Sequence, residues 1–284
     1  MDGWGSRNGG GDRGRWWTFC FFLLGYADRP QHRRCGFGFI CRRYALDHPK
    51  TETKALTETF QIREFNNKQT AVWAAAESII TSLSRTLSTK GQATLGVCGG
   101  SSAELILPIL SEAPISWPSI RIVLVDDRWV SLESEHSNES LVRKKLLQNR
   151  AADAELFSLK TPHKHAEDAL TFIHDQFETL QFPLDTLLVS MGADGHIASL
   201  FPGGTENQNA KLRVVASTAP VAPCERISLS PHVIRESCHI VLPVLGVEKR
   251  DIFDQAAQPG PASQFPVRHA LFSPNAKCDA FLSP

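Results

Sequence analysis

The sequence predicts an α/β fold in which a mostly parallel sheet is flanked by helices, in a three-layer, Rossmann-like arrangement. Apolar runs alternate with segments of helical periodicity from about residue 60 onward. The run IRIVLVD at 120–126 is almost continuously apolar, which is typical of a strand buried on both faces of a parallel sheet. The connections are short, as in chains whose helices cross between neighbouring parallel strands.

The individual elements follow from local patterns. FQIREF at 60–65 alternates like a strand, and Asn66 or Asn67 can cap the helix that repeats apolar residues as far as Leu87. A short strand at 94–98 ends in two glycines, and the two serines after them open a helix to about residue 110. The later predictions are a strand at 120–126, a helix at 138–147 that Ser137 and Asn138 cap, a helix with its apolar face along 169–180, strands at 186–191, 213–216, 226–229 and 239–245, and a helix at 247–257.

Composition limits the class of protein. The chain has 284 residues, 42% of them hydrophobic, and 30 basic residues balance 30 acidic ones, so no nucleic-acid or membrane partner is expected. Its seven cysteines are scattered without a Cys-x-x-Cys pair, which argues against a disulfide framework and a zinc site. We therefore expect a cytoplasmic protein that binds a small molecule and no metal, as a monomer or small homo-oligomer.

The first fifty residues differ from the rest. They carry nine Lys or Arg and four Asp or Glu, a net +5, which leaves −5 on the remainder. The apolar segment WWTFCFFLLG at 16–25 is about half as long as a bilayer span needs. A signal peptide, a transit peptide and translation from upstream of the natural start all stay open. We interpret residues 1–56 as an N-terminal extension and 57–284 as the functional domain.

The most informative segment is LLVSMGADGHIASLFP at 187–202. It is predicted to pass from a strand through a glycine-rich turn into a helix. Such a turn places its polar residues at the carboxyl edge of the sheet, where open α/β sheets build active sites. Asp194, two residues before His196, suits general-base chemistry near neutral pH. The alternative is a capped turn with one exposed histidine.

A second candidate is the segment GVCGGSSAEL at 96–105. A strand, two glycines and a pair of hydroxyls that open a helix are the parts of an anion-binding turn, since free N–H groups and the positive end of the helix dipole face it. It lacks the lysine of a P-loop, so a nucleoside triphosphate is not expected. An ordinary helix N-cap is the alternative.

A third candidate follows the buried strand at 120–126. Asp126 ends this strand, and Arg128 comes one alternation later on the same side. A charged pair at a strand end indicates either a functional site or a structural ion pair that closes the sheet edge. Arg226, at the start of a strand, and Lys249, at the start of a helix, could add cations, or both could be solvated surface charges.

Other reaction classes fit poorly. The sequence has no G-x-S-x-G elbow for a serine hydrolase and no H-E-x-x-H for a zinc protease. His163 and His165 lie in a polar loop after a proline and are expected at the surface.

Taken in order, these segments resemble the 6-phosphogluconolactonase family over about residues 58–280. The matching strings are GGSS at 99–102, DDRWV at 126–130, SN at 137–138, MGADGHIASLFP at 191–202, ERIS at 225–228 and GVEK at 246–249. The related glucosamine-6-phosphate deaminases typically follow the histidine with Ala-Phe-Asn-Glu-Pro and carry an aromatic residue in place of Arg128. Asp127, Ser131 and Ser101 depart slightly from the usual Glu, Pro and Thr of the lactonases.

The resemblance implies hydrolysis of 6-phospho-D-glucono-1,5-lactone to 6-phosphogluconate in the oxidative pentose phosphate pathway, with no metal or organic cofactor. On this interpretation His196 deprotonates the attacking water and Asp194 holds its ring. Arg128, placed by Asp126, serves either the oxyanion or the phosphate. The predicted phosphate-binding residues are Gly99, Gly100, Ser101, Ser102, Arg226 and Lys249.

Two alternatives to the lactonase stay open. A sugar-phosphate isomerase or deaminase of the same superfamily would release ammonia from glucosamine-6-phosphate. A non-catalytic sugar-phosphate sensor would bind 6-phosphogluconate without turning over the lactone. The joint presence of Asp126, Arg128, Asp194 and His196 argues against a sensor.

Deletion of residues 1–56 tests the predicted domain boundary. Every candidate site residue lies after residue 95, so the shortened protein is expected to keep lactonase rates within a few-fold of the full chain. Solubility should improve, because an aromatic segment without periodicity is removed. Loss of folding or of activity on truncation would show that the segment at 16–25 packs on the domain.

Overall fold

The computed structural model describes residues 60–204 and 212–284. Within these ranges, no helix has both the length and the apolar composition that a membrane crossing requires. The predicted extension at 1–56, with its apolar segment at 16–25, lies outside the described residues. The boundary at residue 57 therefore stays a prediction.

Strands and helices alternate along the described part of the chain. The strands are β1 (Phe60–Glu64), β2 (Ala93–Val97), β3 (Ile120–Leu124), β4 (Asp126–Arg128), β5 (Glu155–Phe157), β6 (Thr186–Leu188), β7 (Val214–Thr218), β8 (Glu225–Leu229), β9 (His239–Leu245) and β10 (Lys277–Ser283). The helices are α1 (Lys68–Lys90), α2 (Ser101–Ser111), α3 (Asn138–Lys145), α4 (Ala166–Phe177), α5 (Pro231–Glu236), α6 (Val247–Ala256) and α7 (Arg268–Leu271). Two short 3-10 helices span Trp117–Ser119 and Asn149–Ala151.

Seven strands form one parallel sheet in the order β1-β10-β9-β6-β2-β3-β5. Every residue of β2 is buried, as expected of a strand covered on both faces. Helices α1 and α6 pack on β9 and β10, and α2 packs against α1. The predicted α/β fold, with helices flanking a mostly parallel sheet, is confirmed.

Helix α1 shows how local signals set the ends of an element. The Asn67 side chain accepts a hydrogen bond from the Thr70 backbone N–H at 2.9 Å, which confirms the predicted cap. At the other end Gly91 adopts a left-handed φ of 74°, and its N–H donates to the Leu87 carbonyl at 2.9 Å.

The carboxylate of Asp185 ties together the amino-terminal ends of β2 and β6, which lie side by side. It accepts hydrogen bonds from the backbone N–H and the hydroxyl of Thr94 at 2.9 and 3.0 Å. Its Oδ1 also accepts a hydrogen bond from Nζ of Lys90 at 2.6 Å. These contacts fix the register of the two strands whose opposite ends carry the candidate site.

The chain leaves the main sheet after β3 and enters a second, antiparallel sheet in the order β4-β8-β7. Val125 still bonds to the Val97 carbonyl at 2.8 Å, but Asp126 opens β4 opposite Ser228. The prediction that Asp126 ends the buried strand is therefore wrong. Three consecutive charged residues cannot continue a strand that is covered on both faces, so the chain turns away.

Two further expectations fail. Residues 197–202 form no helix, because Ala198 has a φ of 52° and Ile197 bridges both Met191 and Leu200. Strand β10, in the interior of the sheet between β1 and β9, was not predicted.

Candidate active site

All the predicted site residues except Arg226, which lies in β8, come after four strands that are neighbours in the parallel sheet: β9, β6, β2 and β3. The segments after these strands contribute Lys249 after β9, Asp194 and His196 after β6, Gly99, Gly100 and Ser101 after β2, and Asp126 and Arg128 after β3. Since parallel strands end at one edge, residues up to 150 positions apart in sequence are brought together there, on the edge where α/β proteins bind ligands.

These residues line a cavity of about 400 Å³. The predicted residues on its wall are Gly99, Gly100, Ser101, Asp126, Arg128, Asp194, His196, Arg226 and Lys249. Ser102 is not among the lining residues. It is 1% exposed, and its hydroxyl makes no hydrogen bond within the described part of the chain. The first turn of α2 therefore offers the cavity Ser101 rather than Ser102.

Asp194 and His196 form a hydrogen-bonded pair at the cavity. Nδ1 of His196 lies 2.5 Å from Oδ1 of Asp194, which also accepts the backbone N–H of His196 at 3.1 Å. Burial works to raise the pKa of Asp194, but the hydrogen bond and the charge of His196 outweigh it, so the pKa lies below its usual value. A carboxylate accepts only, so Nδ1 carries the proton, and in the neutral imidazole Nε2 keeps its lone pair for a ligand.

The turn around this pair depends on close packing at two glycines. A Cβ atom on Gly192 would lie 2.1 Å from Cε1 of His196 and 2.8 Å from Oδ1 of Asp194. Gly195 has a φ of 82°, and a Cβ there would lie 2.6 Å from the Phe265 ring. The absence of a side chain at Gly192 thus lets the His196 ring pack directly against the backbone of the turn.

Asp126 is a buried carboxylate that joins three parts of the site. Its Oδ2 accepts the Ser199 hydroxyl at 2.7 Å, and its Oδ1 lies 3.3 Å from Nδ2 of Asn138. Burial raises the pKa of Asp126, against the opposing effects of the Ser199 hydrogen bond and the Arg128 charge. The carboxylate therefore connects β4 to the turn after β6 and to the start of α3.

Arg128 is held by the chain at 136–138. Its Nη1 donates to the His136 carbonyl at 2.8 Å and to Oδ1 of Asn138 at 3.1 Å. No direct ion pair joins the side chains of Asp126 and Arg128 within the described structure. Asn138 makes the connection between them, since its Nδ2 also donates to the Asp126 backbone carbonyl at 2.9 Å.

The neighbouring Asp127 points the other way and caps α3. It accepts the backbone N–H groups of Asn138 at 2.7 Å and Glu139 at 2.9 Å. Burial raises its pKa to about 6, against these hydrogen bonds. The side chain of Ser137 accepts a hydrogen bond from the Ser140 backbone N–H, which confirms Ser137 as the N-cap of α3. Asp127 and Ser137 together place Asn138 beside the cavity.

Two cations of the cavity have no counter-charge in contact. Arg226 lies opposite Arg128 in the β4–β8 ladder and is 8% exposed, yet its Nε has no hydrogen-bond partner in the described residues. Burial, and then the charge of Arg128, lower the pKa of Arg226. Burial also lowers the pKa of the half-buried Lys249. A buried cation without a partner is costly, so Arg226 and Lys249 leave positive charge at the cavity that no acidic group of the described residues contacts.

Sequence reasoning missed several lining residues. Asn138 was assigned with Ser137 to a helix cap, although its side chain bonds to both Asp126 and Arg128. Ser199 lies inside the string at 191–202 but had no assigned role. Cys98, Ser190, Phe201 and the 219–221 segment also line the cavity, and no pattern in the sequence singles them out. His163 and His165 lie outside it.

Fold and cavity define the class: an α/β protein with a cationic pocket and a carboxylate–imidazole pair at the carboxyl edge of its sheet. The family described as glucosamine-6-phosphate isomerases/6-phosphogluconolactonase matches residues 66–278. This chain belongs to that family.

Several curated relatives share most of this length. A 6-phosphogluconolactonase of Neisseria meningitidis is 32% identical over 231 residues, 78% of this chain and 98% of the relative. One of Rhizobium meliloti is 31% identical over 212 residues, 73% of this chain and 91% of the relative. The crystal structure of a 6-phosphogluconolactonase from Shewanella baltica has a TM-score of 0.77 at 31% identity and covers 81% of this chain and 99% of its own.

Gly192→Ala tests the packing of the turn. The added methyl would overlap the His196 ring, so we expect turnover to fall about tenfold or more, since even a 1 Å misplacement of a reacting group is costly. Gly91→Ala is the matched control: its Cβ has nothing within 4 Å, but its φ is 74°. The control should lose about 1 kcal/mol of stability and no activity. Normal turnover of a folded Gly192→Ala variant would show that the ring need not sit where the structure places it.

Proposed function

We propose that the chain hydrolyses 6-phospho-D-glucono-1,5-lactone to 6-phospho-D-gluconate, a step of the oxidative pentose phosphate pathway. The observation that carries this proposal is one cavity that holds both His196, whose Nε2 makes no hydrogen bond within the described residues, and the cations Arg226 and Lys249, which form no ion pair there. The curated relatives with at least 30% identity carry the same activity in their names. Ala198–Pro202 and Arg128 favour the lactonase over the deaminase branch.

The reaction needs a base and a stabilised oxyanion. A water gives its proton to Nε2 of His196 while its oxygen bonds to the lactone carbonyl carbon. The carbonyl electrons move to oxygen, and the tetrahedral intermediate then expels the ring oxygen, which takes the proton back from His196 as a hydroxyl. The product acid ionises in solution. No electron is gained or lost and no group is carried, so the proposed reaction uses no cofactor.

Asp194 prepares His196 for this role. Its lowered pKa keeps it ionised near neutral pH. The carboxylate therefore fixes the Nδ1–H tautomer and stabilises the imidazolium that forms when Nε2 takes the proton. The histidine begins neutral and ends neutral after each turnover.

The cations supply the anion-binding half of the site. Arg226 and Lys249 suit the dianionic phosphate, because both are partly desolvated and neither has a partner of its own in the described residues. The Gly99–Ser101 turn adds backbone N–H groups at the start of α2. Arg128 lies beside Arg226 and can serve the phosphate or the oxyanion.

The compartment and assembly are part of the same proposal. We assign the protein to the cytoplasm, as a monomer or small homo-oligomer whose partner is its sugar-phosphate substrate. The four cysteines of the described residues form no disulfide, which supports a reducing compartment.

His196→Ala tests the base. Loss of general-base catalysis is expected to lower kcat by about 10²-fold or more with an unchanged fold. In the unchanged protein the rate should fall on the acid side, because a protonated imidazole cannot accept the proton from water. The control is His163→Ala, which removes a histidine outside the cavity and should retain full activity. Near-normal turnover of folded His196→Ala would remove this residue from the mechanism.

Arg226→Ala and Lys249→Ala test the phosphate assignment. Loss of one charge-assisted contact is worth roughly 1.5–3 kcal/mol, so kcat/KM for the phosphorylated lactone should fall about one to two powers of ten. The same variants should act on unphosphorylated gluconolactone almost as the unchanged protein does. Arg121→Ala, at a half-exposed ion pair with Glu155, is the control. Equal losses on both lactones would mean that these cations are structural.

A further inference from the structure

The carboxamide of Asn138 lies between Asp126 and Arg128, the first and last residues of β4. Its Nδ2 donates to the backbone carbonyl of Asp126 at 2.9 Å and approaches the Asp126 carboxylate at 3.3 Å. Its Oδ1 accepts from Nη1 of Arg128 at 3.1 Å. The side chain is buried, with 4% of the residue exposed, and it lines the cavity.

These partners allow only one orientation of the amide. The backbone carbonyl oxygen of Asp126 and its carboxylate Oδ1 are both hydrogen-bond acceptors, so the NH₂ end of the amide must face them. The guanidinium of Arg128 only donates, so the carbonyl end must face it. A flipped amide would set acceptor against acceptor and donor against donor at the same time.

The amide in turn determines which edge of Arg128 is free. Nη1 carries two hydrogens, and these are directed to Asn138 and to the His136 carbonyl, 2.8 Å away. The edge formed by Nε and Nη2 makes no hydrogen bond within the described part of the chain. This is the fork of a guanidinium that binds two oxygens of one anion side by side.

Gly99 confines the amide from the opposite side. A Cβ atom at Gly99 would lie 2.0 Å from Oδ1 and 2.3 Å from Cγ of Asn138. Gly99 does not have a left-handed φ, so close approach of the amide, and not backbone strain, requires a glycine here. The turn after β2 and the start of α3 are therefore fitted to each other through Asn138.

We propose that Asn138 is a positioning residue: it fixes the Arg128 guanidinium so that its Nε–Nη2 edge faces the cavity and binds an anionic group of the substrate in bidentate fashion. This inference rests on the proposed function for the identity of the substrate. It assigns to Asn138 no contact with the reacting atoms, so its effect on the binding of this anionic group passes through Arg128.

A double-mutant cycle tests this dependence. In the unchanged protein, Asn138→Ala is expected to lower kcat/KM for the phosphorylated lactone about tenfold, a coupling within the usual range for contacting residues. In an Arg128→Ala background the same change should cost less than about twofold, because the group that it positions is gone. Equal losses in both backgrounds would overturn the proposal and leave Asn138 with a packing role only.

The fit between Gly99 and the amide gives an independent test. Gly99→Ala should impair the protein with Asn138 present, since the methyl displaces the amide. It should cost much less in the Asn138→Ala background, where the three atoms nearest to the added methyl, Oδ1, Cγ and Nδ2 of Asn138, are absent. A Gly99→Ala loss that Asn138→Ala does not relieve would contradict the close fit on which the inference depends.

Two precautions keep the test decisive. Where Asn138→Ala does not fold, as judged by thermal unfolding, Asn138→Ser replaces it in the same cycle, because a hydroxyl cannot span both partners. Absence of lactone turnover in the unchanged protein would contradict the proposed function alone. The cycle is then read from calorimetric titration with 6-phosphogluconate: additive losses in affinity would overturn the role of Asn138, and non-additive losses would support it.

Discussion

The buried carboxylate of Asp126 is the interaction on which the rest of the site depends. It lies where the chain crosses from the parallel sheet into the small antiparallel one, and it accepts hydrogen bonds from Ser199 and Asn138. A buried charge is tolerated only with such partners, so the loops that supply them must close around it. The crossing point thereby fixes the turn after β6 relative to the start of α3.

The electrostatics of the cavity follow from this arrangement. Asp126 and Asp194 are each engaged with protein donors, whereas Arg226 and Lys249 have no counter-ion in contact among the described residues. The body of the chain is acidic outside the first fifty residues. Positive charge without a counter-ion in contact therefore lies at this cavity, which suits the anionic sugar and the neutral histidine base of the proposed function.

Much of this architecture could be predicted from the sequence, since each strand and helix has a local signature. The Asp194–His196 turn was placed correctly because glycines and polar residues directly follow an apolar strand. Strand β10 was missed, because a Lys and an Asp in a short segment at the chain end obscure its buried character. The helix expected after the turn is absent because Ala198 has a left-handed backbone conformation. Composition does not indicate such a conformation at an alanine, so the sequence could not predict this.

The role of Asn138 illustrates a different limit. Its place after Ser137 at the start of a helix is a local feature, and local reasoning assigned it to a cap. Its contact with Gly99, 39 positions earlier in the sequence, exists only in three dimensions. Contacts between segments that are distant in sequence, such as this one and the antiparallel β4–β8 pairing, depend on how the elements pack. The periodicity of a single sequence does not indicate them.

Chemical rescue of a His196→Gly variant tests the central claim most directly. If Nε2 of His196 takes the proton from water, added imidazole should enter the vacated space and restore turnover of the phosphorylated lactone. The restored rate should saturate with imidazole, follow its unprotonated fraction and exceed the imidazole-catalysed rate without protein. A folded variant that binds 6-phosphogluconate, yet gains nothing from imidazole beyond that background, would contradict the assignment of His196 as the base.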